Sequence, residues 1–220
     1  MNWKTNVFVS NNASGAYAAA KKGHIVVIVD VIDMSTSLET VLEMGAIAIF
    51  GASPDFTEAP VPVFPEIIGF EAARIAIKYG TDIIIIGEPR FGSETERSNK
   101  CMKLINAISS TGVKVHSIVP NVGKEIALFA DYKDRVVVAV SDSGGVAFDA
   151  AFNAGGLVST ATIARTFKRK GQQPGMDGAL RAFNMAKQFK KDITVVAASS
   201  NSWEDVLAAD YLRYLIEGLS

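Results

Sequence analysis

Four places in the sequence set acids and small hydroxyl residues directly after a β-branched run. The first is Asp30-Val31-Ile32-Asp33-Met34-Ser35-Thr36-Ser37. Carboxylates such as Asp30 and Asp33 at a strand end are hard oxygen ligands of the kind Mg2+ takes. The hydroxyls and helix-start amides of Ser35, Thr36 and Ser37 suit an anion. They equally suit helix capping, with Glu39 completing a capping box, and the two roles are compatible. The second place is Gly87-Glu88-Pro89-Arg90-Phe91-Gly92-Ser93. Here Glu88 reads as an acid and Arg90 as an anion clamp, or the pair as a local ion pair in a polar loop. The third, Ser141-Asp142-Ser143-Gly144-Gly145, suits a phosphate-cradling turn or a plain tight turn ahead of a helix. It is neither a Walker motif nor a Gly-x-Gly-x-x-Gly fingerprint. In the fourth, Ser199-Ser200-Asn201-Ser202-Trp203-Glu204-Asp205, Ser202 suits a helix cap, and Glu204 and Asp205 suit its first turn.

The elements that must position these residues alternate along the chain. Strands are predicted at His24–Val31, Ala46–Phe50, Asp82–Ile86, Lys114–Val119, Arg135–Val140 and Asp192–Ala197, with a weaker run at Gly156–Ser159. Several are almost pure Val and Ile without polar alternation, the mark of strands buried on both faces. Helices are predicted at Ser35–Met44, Pro65–Tyr79, Thr95–Ser109, Val122–Ala130, Val146–Asn153, Met176–Phe189 and Trp203–Ile216. Alternating βα units imply a three-layer α/β/α domain with a mostly parallel central sheet. At least five parallel strands are expected, with Val26–Val29, Ile83–Ile86 and Val136–Val140 in central positions. In such a fold ligands sit beyond the strands' carboxyl ends, so Asp30, Glu88, Asp142 and Glu204 should meet in one cleft.

The chain, residues 1–220, reads as one domain. Four prolines (Pro54, Pro60, Pro62, Pro65) make the 52–65 stretch a loop or flap, since proline disrupts helix interiors and central strands. No internal repeat is apparent. The formal net charge of −1 makes nucleic acid a poor partner, and the Lys168-Arg169-Lys170 run reads as a solvated helix end. The single cysteine, Cys101, excludes an intramolecular disulfide and suits a reducing, cytoplasmic setting. It reads as a packing residue, and His24 and His116 as structural. No apolar run is long enough to cross a bilayer, and no signal peptide is expected.

The same four places resemble a family, the 2-phosphosulfolactate phosphatases, which are Mg2+-dependent enzymes. The family's strand followed by Asp-Val-Leu-Arg-Ala-Thr-Thr-Thr, and its helix ending in Asn-Gly-Ala, are similar to Val29–Ser37 and Glu43–Ala46 here. Its Gly-Glu-Arg loop resembles Gly87–Arg90, and its Asn-Ser-Pro-x-Glu segment resembles Asn121–Glu125. Its threonine-rich strand end falls on Val140–Gly145, and its final Leu-Glu-Asp-x-Leu on Trp203–Leu207. The order holds over most of the chain, although Asp33 stands where the family has arginine and the Phe91–Pro120 stretch is longer.

The resemblance implies a Mg2+-dependent phosphatase acting on a small anionic phosphate ester. Asp30, Glu88 and Arg90 would be catalytic. Asp30, Asp33, Glu88, Glu204 and Asp205 are the candidate metal ligands, and Ser35, Thr36, Ser37, Asn121, Asp142, Ser143 and Gly144 the candidate substrate contacts. Two alternatives stand beside it. One is a catalytically silent relative that binds a small anionic metabolite. The other is a homo-oligomer whose polar loops are surface features.

Overall fold

The computed structural model describes residues 4–219. It has the three-layer α/β/α class that the alternation predicts. The strands are β1 Val7–Asn11, β2 Ile25–Val29, β3 Ala48–Ala52, β4 Ile83–Gly87, β5 Val115–Pro120, β6 Val136–Val140, β7 Leu157–Thr160 and β8 Ile193–Ala197. The helices are α1 Asn12–Lys21, α2 Met34–Glu43, α3 Pro65–Tyr79, α4 Glu94–Ser98, α5 Met102–Ser110, α6 Gly144–Asn153, α7 Gln173–Phe189 and α8 Trp203–Glu217, with a 3-10 turn at Gly123–Leu128.

Every strand pairing is parallel, but the strands form two sheets of four, ordered β1-β8-β2-β7 and β3-β6-β4-β5. The expected single sheet is therefore divided. β2, β4 and β6 are all interior strands, as their unbroken apolar runs demand. β2 shows why alternation is missing. Val26 and Ile28 face a core shared with β4 and β6, while Ile25, Val27 and Val29 face α7 and α8. The larger core thus draws on strands of both sheets.

The two sheets repeat one plan. Read from opposite ends, β1-β8-β2-β7 and β5-β4-β6-β3 have the same succession, with β2-α2-β3-α3-β4 matched by β6-α6-β7-α7-β8. The local chemistry matches too. α2 and α6 are both ten residues long, and each carries a buried acid at its sixth position, Glu39 and Asp149. Each is followed by a positive-φ glycine, Gly45 and Gly155. α3 and α7 both have a proline in the first turn and end in a left-handed residue, Gly80 or Lys190. The sequence reading missed this repeat because it lies in element lengths and turn positions, whereas the residues have diverged: Met-Ser-Thr-Ser-Leu-Glu in α2 faces Gly-Gly-Val-Ala-Phe-Asp in α6.

Other departures have local causes. β1 and α1 were not predicted; β1 is a half-exposed edge strand without a continuous apolar run. The predicted Thr95–Ser109 helix is two helices. Ser93 and Glu96 form a capping box on α4, and α5 restarts after Cys101 with Asp55 accepting from Lys103 N at 3.1 Å. Asp55 belongs to the proline-rich loop, which Asp149 also secures by accepting from Ser53 N at 3.1 Å and Phe64 N at 2.8 Å.

Glu39 is buried and ion-paired with Arg181 of α7. Burial pushes its carboxyl up to about 7, against the pull of Arg181. The folded protein keeps Glu39 largely protonated below about 7, so Arg181 has a carboxylate to pair with only as pH rises past that value, and the partner matters most in alkali. Arg181→Met is expected to destabilise the fold by about 2 kcal/mol at pH 8, less than for a fully buried pair because Arg181 is partly exposed. The loss should shrink towards pH 5, where Glu39 binds a proton. Urea unfolding at the two pH values checks this, and a pH-independent loss would contradict it.

Candidate functional site at the strand ends

Asp30 lies just past β2 and is 3% exposed. Its Oδ2 accepts from Gly144 N at 2.8 Å and from Ser143 Oγ at 2.9 Å, and its Oδ1 faces Asp33 N at 3.3 Å. The first turn of α6 therefore points at the carboxylate, which caps that helix from another sheet. Gly144 makes the approach possible, since a Cβ there would stand 2.3 Å from Asp30 Oδ2.

The end of β4 comes to the same place. Arg90 ion-pairs with Asp33, and its Nη2 also donates to Ile32 O at 2.9 Å. The Glu88–Pro89 peptide is cis. Glu88 accepts from Asn121 Nδ2 at 3.4 Å, and Asn121 Oδ1 accepts from Ser37 Oγ at 2.6 Å. Asn121 is wholly buried, and its N–H donates to Gly87 O at 3.0 Å, so it ties the ends of β4 and β5 to α2. From α8, Asp205 accepts from Val31 N at 2.8 Å.

These acids feel one another. Burial first, then the charges of Asp33 and Asp205, push Asp30 up to about 6, although the bonds from Ser143 and Gly144 pull the other way. Burial raises Glu88 as well, reinforced by Asp33 and Asp142 and opposed by Asn121 and Arg90. Burial likewise raises Asp205, with Asp33 adding to the shift, against the bonds from Val31 and Ser202. Asp30, Asp33, Glu88, Asp142 and Asp205 thus share an electrostatic neighbourhood with Arg90. Carboxylates whose repulsion is tolerated rather than designed out are a frequent mark of a functional cleft.

The sequence-predicted residues divide accordingly. Asp30, Asp33, Glu88, Arg90, Asn121, Ser143, Gly144 and Asp205 come together, whereas Asp142 is exposed, reaches Glu88 only through its charge, and lines a separate pocket with Asp55 and Lys100. Glu204 does not join them: it is exposed and accepts from Ser202 Oγ at 3.2 Å. Ser35, Thr36 and Ser37 are buried and turn inward. Ser35 Oγ donates to Ile28 O at 3.2 Å, Thr36 Oγ1 bonds Val31 O and Thr162 Oγ1, and Ser37 Oγ bonds Asn121. None caps α2, and the supposed capping-box partner Glu39 is committed to Arg181. The readings of Cys101, His24 and His116 as structural residues agree with their contacts. Cys101 is buried with its thiol pushed up to about 12 by desolvation. His24 bonds Thr194 Oγ1 at 2.8 Å, and His116 lies 3.5 Å from Asp82.

Among the described residues, no three His, Cys, Asp or Glu side chains stand close enough to form a ready metal cage. The donor set nonetheless suits a hard divalent cation in character: all are carboxylate oxygens, and their mutual repulsion is what such an ion relieves. No helix among the described residues is long and apolar enough to cross a membrane. The fold and site define a class, an α/β protein with a cluster of acids beyond the carboxyl ends of parallel strands. No protein-family model and no curated protein matches the chain.

Proposed function

We propose that this acidic cluster is the active site of a Mg2+-dependent phosphatase-like hydrolase for a small anionic phosphate ester. One observation carries the reading: acids from the ends of β2 and β4 and from α8 lie near Asp33, whose charge adds to burial in raising Asp30, Glu88 and Asp205, and Arg90 ion-pairs with Asp33. Asp30 and Glu88, with Asp33 or Asp205, would hold the ion, and it would supply Lewis-acid polarisation of a phosphoryl oxygen. Asn121 orients Glu88. Arg90 holds Asp33 and is placed to meet an anionic ligand reaching the cluster. Gly144 and Ser143 fix the direction of the Asp30 carboxylate.

The charge balance favours this reading over a silent anion binder. A cluster with several carboxylates and one guanidinium repels a phosphate dianion unless a cation enters with it. The same balance separates the chain from the family it resembles, whose arginine is replaced by Asp33. Little turnover of 2-phosphosulfolactate itself is therefore expected.

Phosphate release from a panel of small phosphomonoesters, with and without millimolar Mg2+, tests the reading. Mg2+-dependent release is the expected result. Glu88→Gln should lower Mg2+ affinity about tenfold in calorimetry, the usual scale for disturbing a metal's coordination shells. Absence of both hydrolysis and Mg2+ binding would overturn the proposal, and efficient hydrolysis of 2-phosphosulfolactate would overturn the specificity assigned to Asp33.

A further inference from the structure

Arg90 also borders a cavity of about 480 Å³ whose walls include Phe91, Arg97, Ile118, Val122 and Phe129. Most of this wall is apolar. Arg90 and Arg97 are the exceptions; Arg90 is ion-paired with Asp33, and Arg97 is only 8% exposed. Its Nη1 donates to Pro89 O at 3.3 Å and to Gly92 O at 3.0 Å, while its Nε is buried with no hydrogen-bond partner. Among the described residues, no carboxylate lies within ion-pairing distance of it. The neighbouring Glu96 carboxylate is turned to Ser93, where it closes the cap of α4.

A buried guanidinium that hydrogen-bonds only neutral carbonyls, with Glu96 acting on it from beyond ion-pairing distance, is incompletely compensated, and fixing two loop carbonyls does not require a full positive charge. Phe91 is 93% exposed at the rim, and Phe129 is half-exposed, so the cavity presents aromatic faces as well as a cation. A ligand complementary to this wall has a flat or branched apolar body and one anionic head.

We propose that this cavity is a binding subsite for an aromatic or branched apolar monocarboxylate, with Arg97 as its anion partner. It shares Arg90 with the acidic cluster but differs from it in having a mostly apolar wall and, among the described residues, no carboxylate in its lining. The inference does not depend on hydrolysis or on Mg2+. It assigns Arg97 a role that the 95–109 helix pattern did not suggest, because that pattern shows only which residues are apolar.

The test is calorimetry with benzoate and with benzamide as its neutral counterpart, in the presence of chelator and without phosphate. Benzoate should bind at least tenfold more tightly than benzamide. Arg97→Gln should remove that preference, and Phe91→Ala, a change at an exposed site, should weaken both ligands. Chemical-shift changes on titration should fall on Val122, Phe129 and the Gly87–Gly92 loop. Equal affinity for the two ligands, no binding of either, or an undiminished preference in Arg97→Gln would overturn the proposal. If Arg97→Gln does not fold, the benzoate–benzamide comparison on the unaltered chain still decides it. A failed phosphatase panel would leave this result untouched.

Discussion

Gly145→Ala is expected to destabilise the protein by about 4 kcal/mol, near the upper end of what adding one methyl does to a packed site. Gly145 is the second residue of α6. A Cβ there would sit 2.1 Å from the carbonyl oxygen of Ala52 and 3.0 Å from its carbon. Both are backbone atoms at the end of β3, and Ala52 O also accepts from Ser141 N at 3.3 Å across the β3–β6 pair. No side chain can swing aside. The start of α6 must lift away, and Gly144 N would move off Asp30 with it. Gly80→Ala is the comparison that isolates this effect. Gly80 has φ +64 and nothing within 4 Å of its Cβ position, so alanine there costs only left-handed strain, about 1 kcal/mol. Urea unfolding of the two variants should give clearly different midpoints, with Gly145→Ala lower. A smaller loss at Gly145 than at Gly80 would mean that the packing of α6 on β3 is looser than the distances say.

The contrast between those glycines shows where sequence reading ends. The burial of β2, β4 and β6 was legible because strands enclosed on both faces cannot alternate in polarity. Which strands they pair with was not: β2 lies between β8 and β7, both distant in sequence, and no residue of β2 names them. The site was partly legible for a similar reason. Residues following parallel strands must emerge at one end, so Asp30, Glu88, Asp142 and Glu204 were expected together, and of these Asp30 and Glu88 stand in the cluster while Glu204 turns to Ser202. Side-chain direction was not legible. α2 begins at Met34, and its first turns aim Ser35 at Ile28 and Thr160, Thr36 at Val31 and Thr162, and Ser37 at Asn121, rather than at the acids. Glu204 and Asp205 are adjacent on α8, about 100° apart around the helix. Only one of them can face Val31, and the sequence does not say which.

Asp30→Asn should separate stability from function. The folded protein holds the Asp30 carboxyl up to about 6, above its ordinary 3.8. Below both values the group carries a proton whether the chain is folded or not, and folding loses nothing. As pH rises towards 6, the unfolded chain gives up the proton first. Above 6 the folded state carries an ionised acid that burial, Asp33 and Asp205 disfavour. The metal-free protein should therefore lose roughly 3 kcal/mol of stability between about pH 4 and pH 7 through this residue. Asparagine can still accept from Gly144 N and Ser143 Oγ without bearing the charge. In chelator at pH 8, Asp30→Asn should be about 2 kcal/mol more stable than the unaltered protein, with the two converging at pH 4. Millimolar Mg2+ should reverse the order by stabilising only the protein that binds it. The proposed hydrolysis should fall at least about hundredfold, equivalent to roughly 2.7 kcal/mol of transition-state stabilisation. Thermal unfolding at pH 4 and pH 8, with chelator or Mg2+, reads all of this except turnover. Less stability in Asp30→Asn than in the unaltered protein at pH 8 in chelator would show that Asp30 serves chiefly as the cap of α6, its charge welcomed by the helix rather than held there against repulsion.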